Sequence, residues 1–245
     1  MANWSDPQTG GVGFGSAAAQ TRGAAYDAGL RSYMLSVYNY MASGVLLTGL
    51  VAMLFAQSGL AAQILMGPGI LKYVLMFAPL GFVMVLSFGI NRLSTTAAQG
   101  IYWAYAAVMG LSMASIFLMY TGTSIAQTFF ATAAAFAGLS LYGYTTKKDL
   151  SGFGTFLIMG VIGLIVASLI NIFLQSSVLD LAISAIGVLI FAGLTAYDTQ
   201  KIKSMYAYVA GTEMMGKSVV MGALSLYLDF VNMFMFLLRF MGSRE

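Results

Sequence analysis

LIFAGLTAYDTQKIK (residues 189–203) and MGALSLYLDFVNMFMFLLRF (residues 221–240) decide how this chain is read. Each sets one aspartate, Asp198 or Asp229, inside an apolar run. An ionisable side chain at membrane depth costs roughly 2.5–3.5 kcal/mol on insertion scales, so such residues usually face a partner group or a water-filled cavity. Two of them on consecutive helices, with an arginine, Arg92, at the end of another apolar run, point to a site.

Composition fixes the class around them. The chain has 245 residues, 60% hydrophobic and only 8% charged, with a mean hydropathy of +0.86. Soluble domains carry about 25% charged residues, so charge here is too sparse to coat a water-exposed surface. An all-α integral membrane protein is expected. The net charge of +3 gives no reason to expect a nucleic-acid partner. With no cysteine and no histidine, disulfides, thiol chemistry, histidine triads and histidine-ligated zinc or haem are excluded.

Spanning the hydrocarbon core takes about 20 apolar residues. Such runs fall near 34–56, 70–91, 100–120, 125–144, 153–174, 177–199 and 218–240, within a transmembrane domain of 34–243. Residues 1–33, rich in Gly, Ala, Ser and Gln, lack the basic start and apolar stretch of a signal peptide. They are read as a largely disordered cytoplasmic tail, helical from about Ala24. Arg22, Arg31, Arg92, Lys147, Lys148, Lys201, Lys203 and Lys217 share one side, against Lys72, Arg239 and Arg244 on the other. The positive-inside rule then puts the N-terminus in the cytoplasm. A seventh element that failed to cross would put the C-terminus there too.

That orientation sets all three charged residues in the cytoplasmic half, with Asp198 ending helix six. Ser225 and Asn232 flank Asp229 at i−4 and i+3, forming one polar helical face. The face reads either as a functional lane or as a helix–helix contact. On helix six, Asp180 and Asp198 stand 18 residues apart, which returns to the same angle. Ser184, Gly187, Phe191 and Thr195 lie near the line between them. The face is a candidate route between the membrane boundaries; equally, Asp180 complements a helix dipole and Asp198 pairs locally with Lys201. Arg92 reads also as a snorkelling boundary residue, and Lys147, Lys148, Lys201 and Lys203 as topogenic charges.

GLTAYDTQKIK (193–203) followed by ALSLYLDFVNMFMFLLRFMG (223–242) resembles the signature of the Bax inhibitor-1 family, the transmembrane Bax-inhibitor-motif proteins, in its bacterial form. TTKKDLSGFGTFLIMG (145–160) and DAGLRSYMLSVYNYMASGVLLTG (27–49) are similar too, and the likeness covers roughly 27–243. The resemblance implies seven transmembrane helices, six surrounding a central seventh, in the bacterial inner membrane. It implies a pH-sensitive calcium leak in which the two matching aspartates, Asp198 and Asp229, form a hydrogen-bonded sensor and latch. The arginine that interacts with the pair matches Arg92.

Carboxylates in hydrogen-bond reach inside a low-dielectric bundle share one proton; losing it loosens the pair and offers Asp198 and Asp229 as transient calcium ligands. Thr195, Ser225, Asn232 and Asp180 would line the route. Calcium is expected as the transported ion, with no tightly bound cofactor, membrane lipid as surroundings and a monomeric chain. Two other readings compete. A non-conducting regulator would bind a membrane protease or another membrane-protein partner. An intramembrane aspartyl protease would need GxGD where Asp229 follows Leu226, Tyr227 and Leu228, and a PAL motif the chain lacks.

Overall fold

A computed structural model describes residues 14–243. Those residues form nine helices and no strand: α1 (Phe14–Gln57), α2 (Leu60–Leu65), α3 (Leu71–Gly89), α4 (Thr95–Met113), α5 (Ile116–Met119), α6 (Gly122–Thr145), α7 (Ser151–Leu174), α8 (Ser177–Val209) and α9 (Met214–Met241). Seven are long and apolar enough to cross a membrane, α5 continuing α4. In lipid every backbone polar group must be satisfied within the protein, and the helix does this segment by segment. Local chemistry sets the ends. Ser94, Thr121 and Ser176 cap α4, α6 and α8 by accepting from Ala97, Ser124 and Leu179 N–H groups, the usual work of a hydroxyl at an N-cap. The α8–α9 turn spans only Ala210–Glu213 and passes through Gly211 at φ 73°, a left-handed conformation that favours glycine.

Two expected boundaries are corrected. The sixth span does not stop at 199: α8 runs on to Val209, so Asp198 stands within the helix rather than at its end. Ile202, Tyr206 and Val209 recur at helical spacing and are buried, which holds the extra turns against the bundle. The tail of 1–33 is helical from Phe14 onward. Its Ala-rich sequence has high helix propensity, and growing from an existing span avoids the nucleation penalty. Tyr26 and Tyr33 of this extension pack on Tyr206, ring centroids 5.1 and 5.4 Å apart. Tyr33 also bonds Ser218 of α9 at 2.8 Å. Residues 1–13 and Arg244 lie outside the described residues.

The final helix is the most enclosed: 67% of its apolar window is buried, against 11% in α3 and in α7. Helices α1, α4, α6 and α8 make the principal contacts with α9, while α3 packs on α4 and α7 on α8. Four helices rather than six therefore form the main wall around α9. α6 and α8 approach closely at Gly143, where a Cβ would overlap the Ala196 carbonyl, two residues before Asp198.

Candidate functional site

Asp229 lies midway along α9 and is 4% exposed. Its Oδ2 and the Tyr105 hydroxyl are the buried side-chain polar atoms without a hydrogen-bond partner among the described residues. Asp198, half-buried on α8, is near enough for its charge to act on Asp229. The α8–α9 hairpin explains why. Counting from the turn at 1.5 Å per residue, Asp198 lies about 16 Å along α8 and Asp229 about 22 Å along α9, roughly one turn apart. Continuation of α8 past Thr199 thus sets the height at which the two acids stand. No direct hydrogen bond joins their side chains.

Arg92 is elsewhere. It sits exposed in the turn between α3 and α4, its N–H bonded to Gly89 O at 2.9 Å. Thr95, three residues on, lies against Gly216 in the first turn of α9. That contact is 13 residues before Asp229, or about 20 Å along the axis. Among the described residues its side chain makes no ion pair.

Asp180 is half-buried at the other end of α8. It lines a 470 Å³ cavity with Ser115, Ser168, Asn171 and Arg239. Between it and Asp198 the shared face of α8 is packed shut. Ser184 and Thr195 are buried and bond back to the Asp180 and Phe191 carbonyls, each at 2.8 Å. Phe191 stacks on Phe236 with centroids 5.8 Å apart, and the same Phe236 ring covers Gly187. Asn232 donates to its own helix at Leu228 O, 2.8 Å, and Ser225 is half-buried.

A buried hydroxyl ladder stands next to Asp198. Thr199 gives its proton to Thr195 O at 2.7 Å, so its 2.9 Å bond to Ser140 is donated by Ser140. Tyr38 therefore donates the next bond, to Ser140, at 2.5 Å. One hydroxyl proton per residue fixes this direction, and the ladder ties α1, α6 and α8 together. A second tie crosses α1, α4 and α9: Thr48 donates to Ala106 O at 2.8 Å and accepts from Tyr227 at 2.7 Å. The sequence reading passed over both. A trace of the first was the buried stripe Thr128, Thr132, Phe136 and Ser140 on α6, at a spacing of four.

Two carboxyls hold few of the six to eight oxygens a resident calcium takes, and no group of three or more His, Cys, Asp or Glu side chains converges among the described residues. The pair suits brief contact with a passing cation better than storage of one.

A multi-pass helical membrane protein with an unpartnered carboxyl on its most enclosed helix, and a second carboxyl on the neighbouring one, is the class that fold and site define. Residues 30–245 match the family model described as "Inhibitor of apoptosis-promoting Bax1", and the chain belongs to the Bax inhibitor-1 family. It is 48% identical over 221 residues to an uncharacterized protein of Rickettsia prowazekii, covering 90% of this chain and 93% of that one. Identity is 47% over 220 residues with inner membrane protein YbhL of Escherichia coli K12, at coverages of 89% and 94%. A Caulobacter vibrioides protein is 47% identical over 230 residues, covering 89% and 91%.

Proposed function

We propose that the protein is a pH-sensitive calcium leak of the inner membrane, latched by Asp198 and Asp229. The observation that carries this reading is the Asp229 carboxyl, buried on α9 with one oxygen unpartnered and Asp198 in electrostatic reach. A group that only glued helices together would have its bonds made. This one keeps its capacity open, and the charge nearest to it is of its own sign. With a proton between them the carboxyls hold α8 against α9. When the proton leaves, two like charges face each other in a low-dielectric bundle, and the helices part. The Phe191–Phe236 stack and the covered Gly187 are the plug such parting would have to move, opening toward the Asp180 cavity. Calcium enters as cargo, meeting carboxylate oxygens too few to retain it. Arg92, exposed in the α3–α4 turn, is left out of this latch. The inner-membrane placement follows the name of the Escherichia coli relative.

Calcium flux into dye-loaded proteoliposomes, measured from acid to alkaline pH, tests the reading. The native leak is expected to rise with pH, and Asp198→Asn or Asp229→Asn to flatten that dependence. Unchanged flux and pH dependence in both variants would sink the latch.

A further inference from the structure

The α6–α7 loop and the α7–α8 seam carry a feature that the latch does not use. Lys147, Lys148 and Lys201 line a 350 Å³ pocket at the end of the bundle, with Asp149 as its one acid. Gln200 builds the pocket. Its amide oxygen accepts from Leu150 N–H and its NH2 donates to Lys148 O, both at 2.8 Å. The loop is thereby clamped to α8 with its lysines over the seam. Lys201 Nζ is 5.9 Å from the centre of the Tyr197 ring, which itself lies on Gly154 of α7. Asp149 offsets one lysine: the Ser151 side chain and N–H hold its carboxyl below the usual carboxylate range, so it stays ionised, and its Oδ1 accepts from that N–H at 2.9 Å. Three lysines against one carboxylate therefore leave this open pocket with an excess of positive charge.

Directly along the same seam runs an apolar groove of 500 Å³ between α7 and α8. It begins at Phe153, two residues beyond Ser151 of the basic pocket, and extends past Phe156, Gly160 and Gly163 to the Leu179 end of α8. Phe153 and Phe156 are exposed and stacked at 5.9 Å, placing aromatic rings where the polar pocket gives way to the groove. Gly163 opens into it, with nothing within 4 Å of where a Cβ would stand. A polar, cationic head and an apolar slot aligned along one helix pair match a molecule with an anionic group at one end and a hydrocarbon chain at the other.

We propose that the α7–α8 seam is a binding site for an anionic glycerophospholipid, its phosphate held by Lys147, Lys148 and Lys201 and one acyl chain lying in the groove beside Gly163. Each half supplies what the other lacks. Basic residues at a membrane surface attract anionic lipid by about fivefold per lysine without fixing its position. The groove fixes a chain but has no preference among headgroups. Clamping by Gln200 means that little loop ordering is required on binding. Lys201 is also in electrostatic reach of Asp198, but the proposed lipid site stands whether or not the protein conducts.

Native mass spectrometry of the full-length protein in mild detergent tests this, with phosphatidylglycerol, phosphatidylethanolamine and glycerol 3-phosphate as probes. Phosphatidylglycerol is expected to be retained at least tenfold better than phosphatidylethanolamine. The triple variant Lys147→Gln, Lys148→Gln, Lys201→Gln should abolish that preference. Gly163→Leu, which fills open space and so leaves folding intact, should weaken both lipids alike. Equal retention of the two lipids by the native protein would overturn the proposal, as would a preference surviving the triple substitution. Competition by glycerol 3-phosphate as strong as by the lipid would reduce the site to a phosphate pocket and remove the chain. Lipid retention unchanged in Gly163→Leu would do the same.

Discussion

Replacing Asp229 by leucine separates two reasons for keeping a carboxyl in the core of a membrane protein. If the group is structural, its removal loosens the bundle. If it is functional, the fold is held back by it. Asp229 is 4% exposed and its Oδ2 has no hydrogen-bond partner. A buried polar group without a partner costs about 1–3 kcal/mol, and leucine reproduces the forked shape of the carboxyl without any polar atom. Its methyl groups are only slightly larger than the carboxyl oxygens, so overpacking takes back the low end of its usual range, about 1 kcal/mol. The balance falls between roughly zero and 2 kcal/mol of added stability.

For a chain of this length each kcal/mol moves Tm by about 2–4 °C. Thermal melting in mild detergent should therefore show Asp229→Leu at the native Tm or up to about 6–8 °C above it. The same preparation, reconstituted, should have lost the pH dependence of its calcium flux. Helix–helix hydrogen bonds in membranes are worth about 0.6 kcal/mol on average and at most about 1.7. A Tm lowered by more than about 4 °C, with the pH dependence of flux intact, would mean that Asp229 holds helices together, and the reasoning from the unpartnered oxygen would be refuted.

Two further substitutions probe the frame around the pair. Gly143→Ala should destabilise by about 1–3 kcal/mol, because the new methyl overlaps the Ala196 carbonyl on α8; a melting curve matching the native one would show that α6 and α8 can separate without loss. Tyr227→Phe removes the bond donated to Thr48 and should cost about 1 kcal/mol. Thr48→Val loses that bond and the one to Ala106, so in a double-mutant cycle Tyr227→Phe should have almost no further effect. Full additivity would disprove the Thr48–Tyr227 bond itself.

Much of this frame is written plainly in the sequence. Seven apolar runs give seven membrane-crossing helices, because a bilayer imposes length and internal hydrogen bonding before any tertiary detail. The two acids stand out for the same reason. Other features required the coordinates. Asp198 looked terminal because Lys201 and Lys203 follow it, but Lys203 donates to Tyr144 O at 2.7 Å while Ile202, Tyr206 and Val209 are buried against the bundle. Arg92 shared a nominal depth with the aspartates, yet its turn meets the base of α9 at Gly216, so depth along a span is no substitute for knowing which helix is the neighbour. The hydroxyl ladder was hidden because Ser and Thr are common in apolar spans and only their partners distinguish them.

The helix that is most hydrophobic in composition shows what the bilayer does to the usual logic of a core. α7 has the most apolar window of the seven, and only 11% of it is buried; α9 carries Asp229, Asn232 and Ser225, and 67% of its window is buried. In water the ranking would be reversed. In lipid an apolar side chain gains nothing from the interior, whereas a carboxyl, amide or hydroxyl has nowhere else to be satisfied. The polar residues of α9 therefore select it for the centre, and its neighbours are the helices that bring hydroxyls to it or to one another: Thr48 and Tyr38 from α1, Ser140 from α6, Thr199 from α8. Within that polar interior nearly every described group finds a partner. Asp229 does not, on the helix that was placed innermost to satisfy such groups. An acid kept there without a bond is held for something other than packing, which is why the chemistry of this fold is sought at its carboxyl pair.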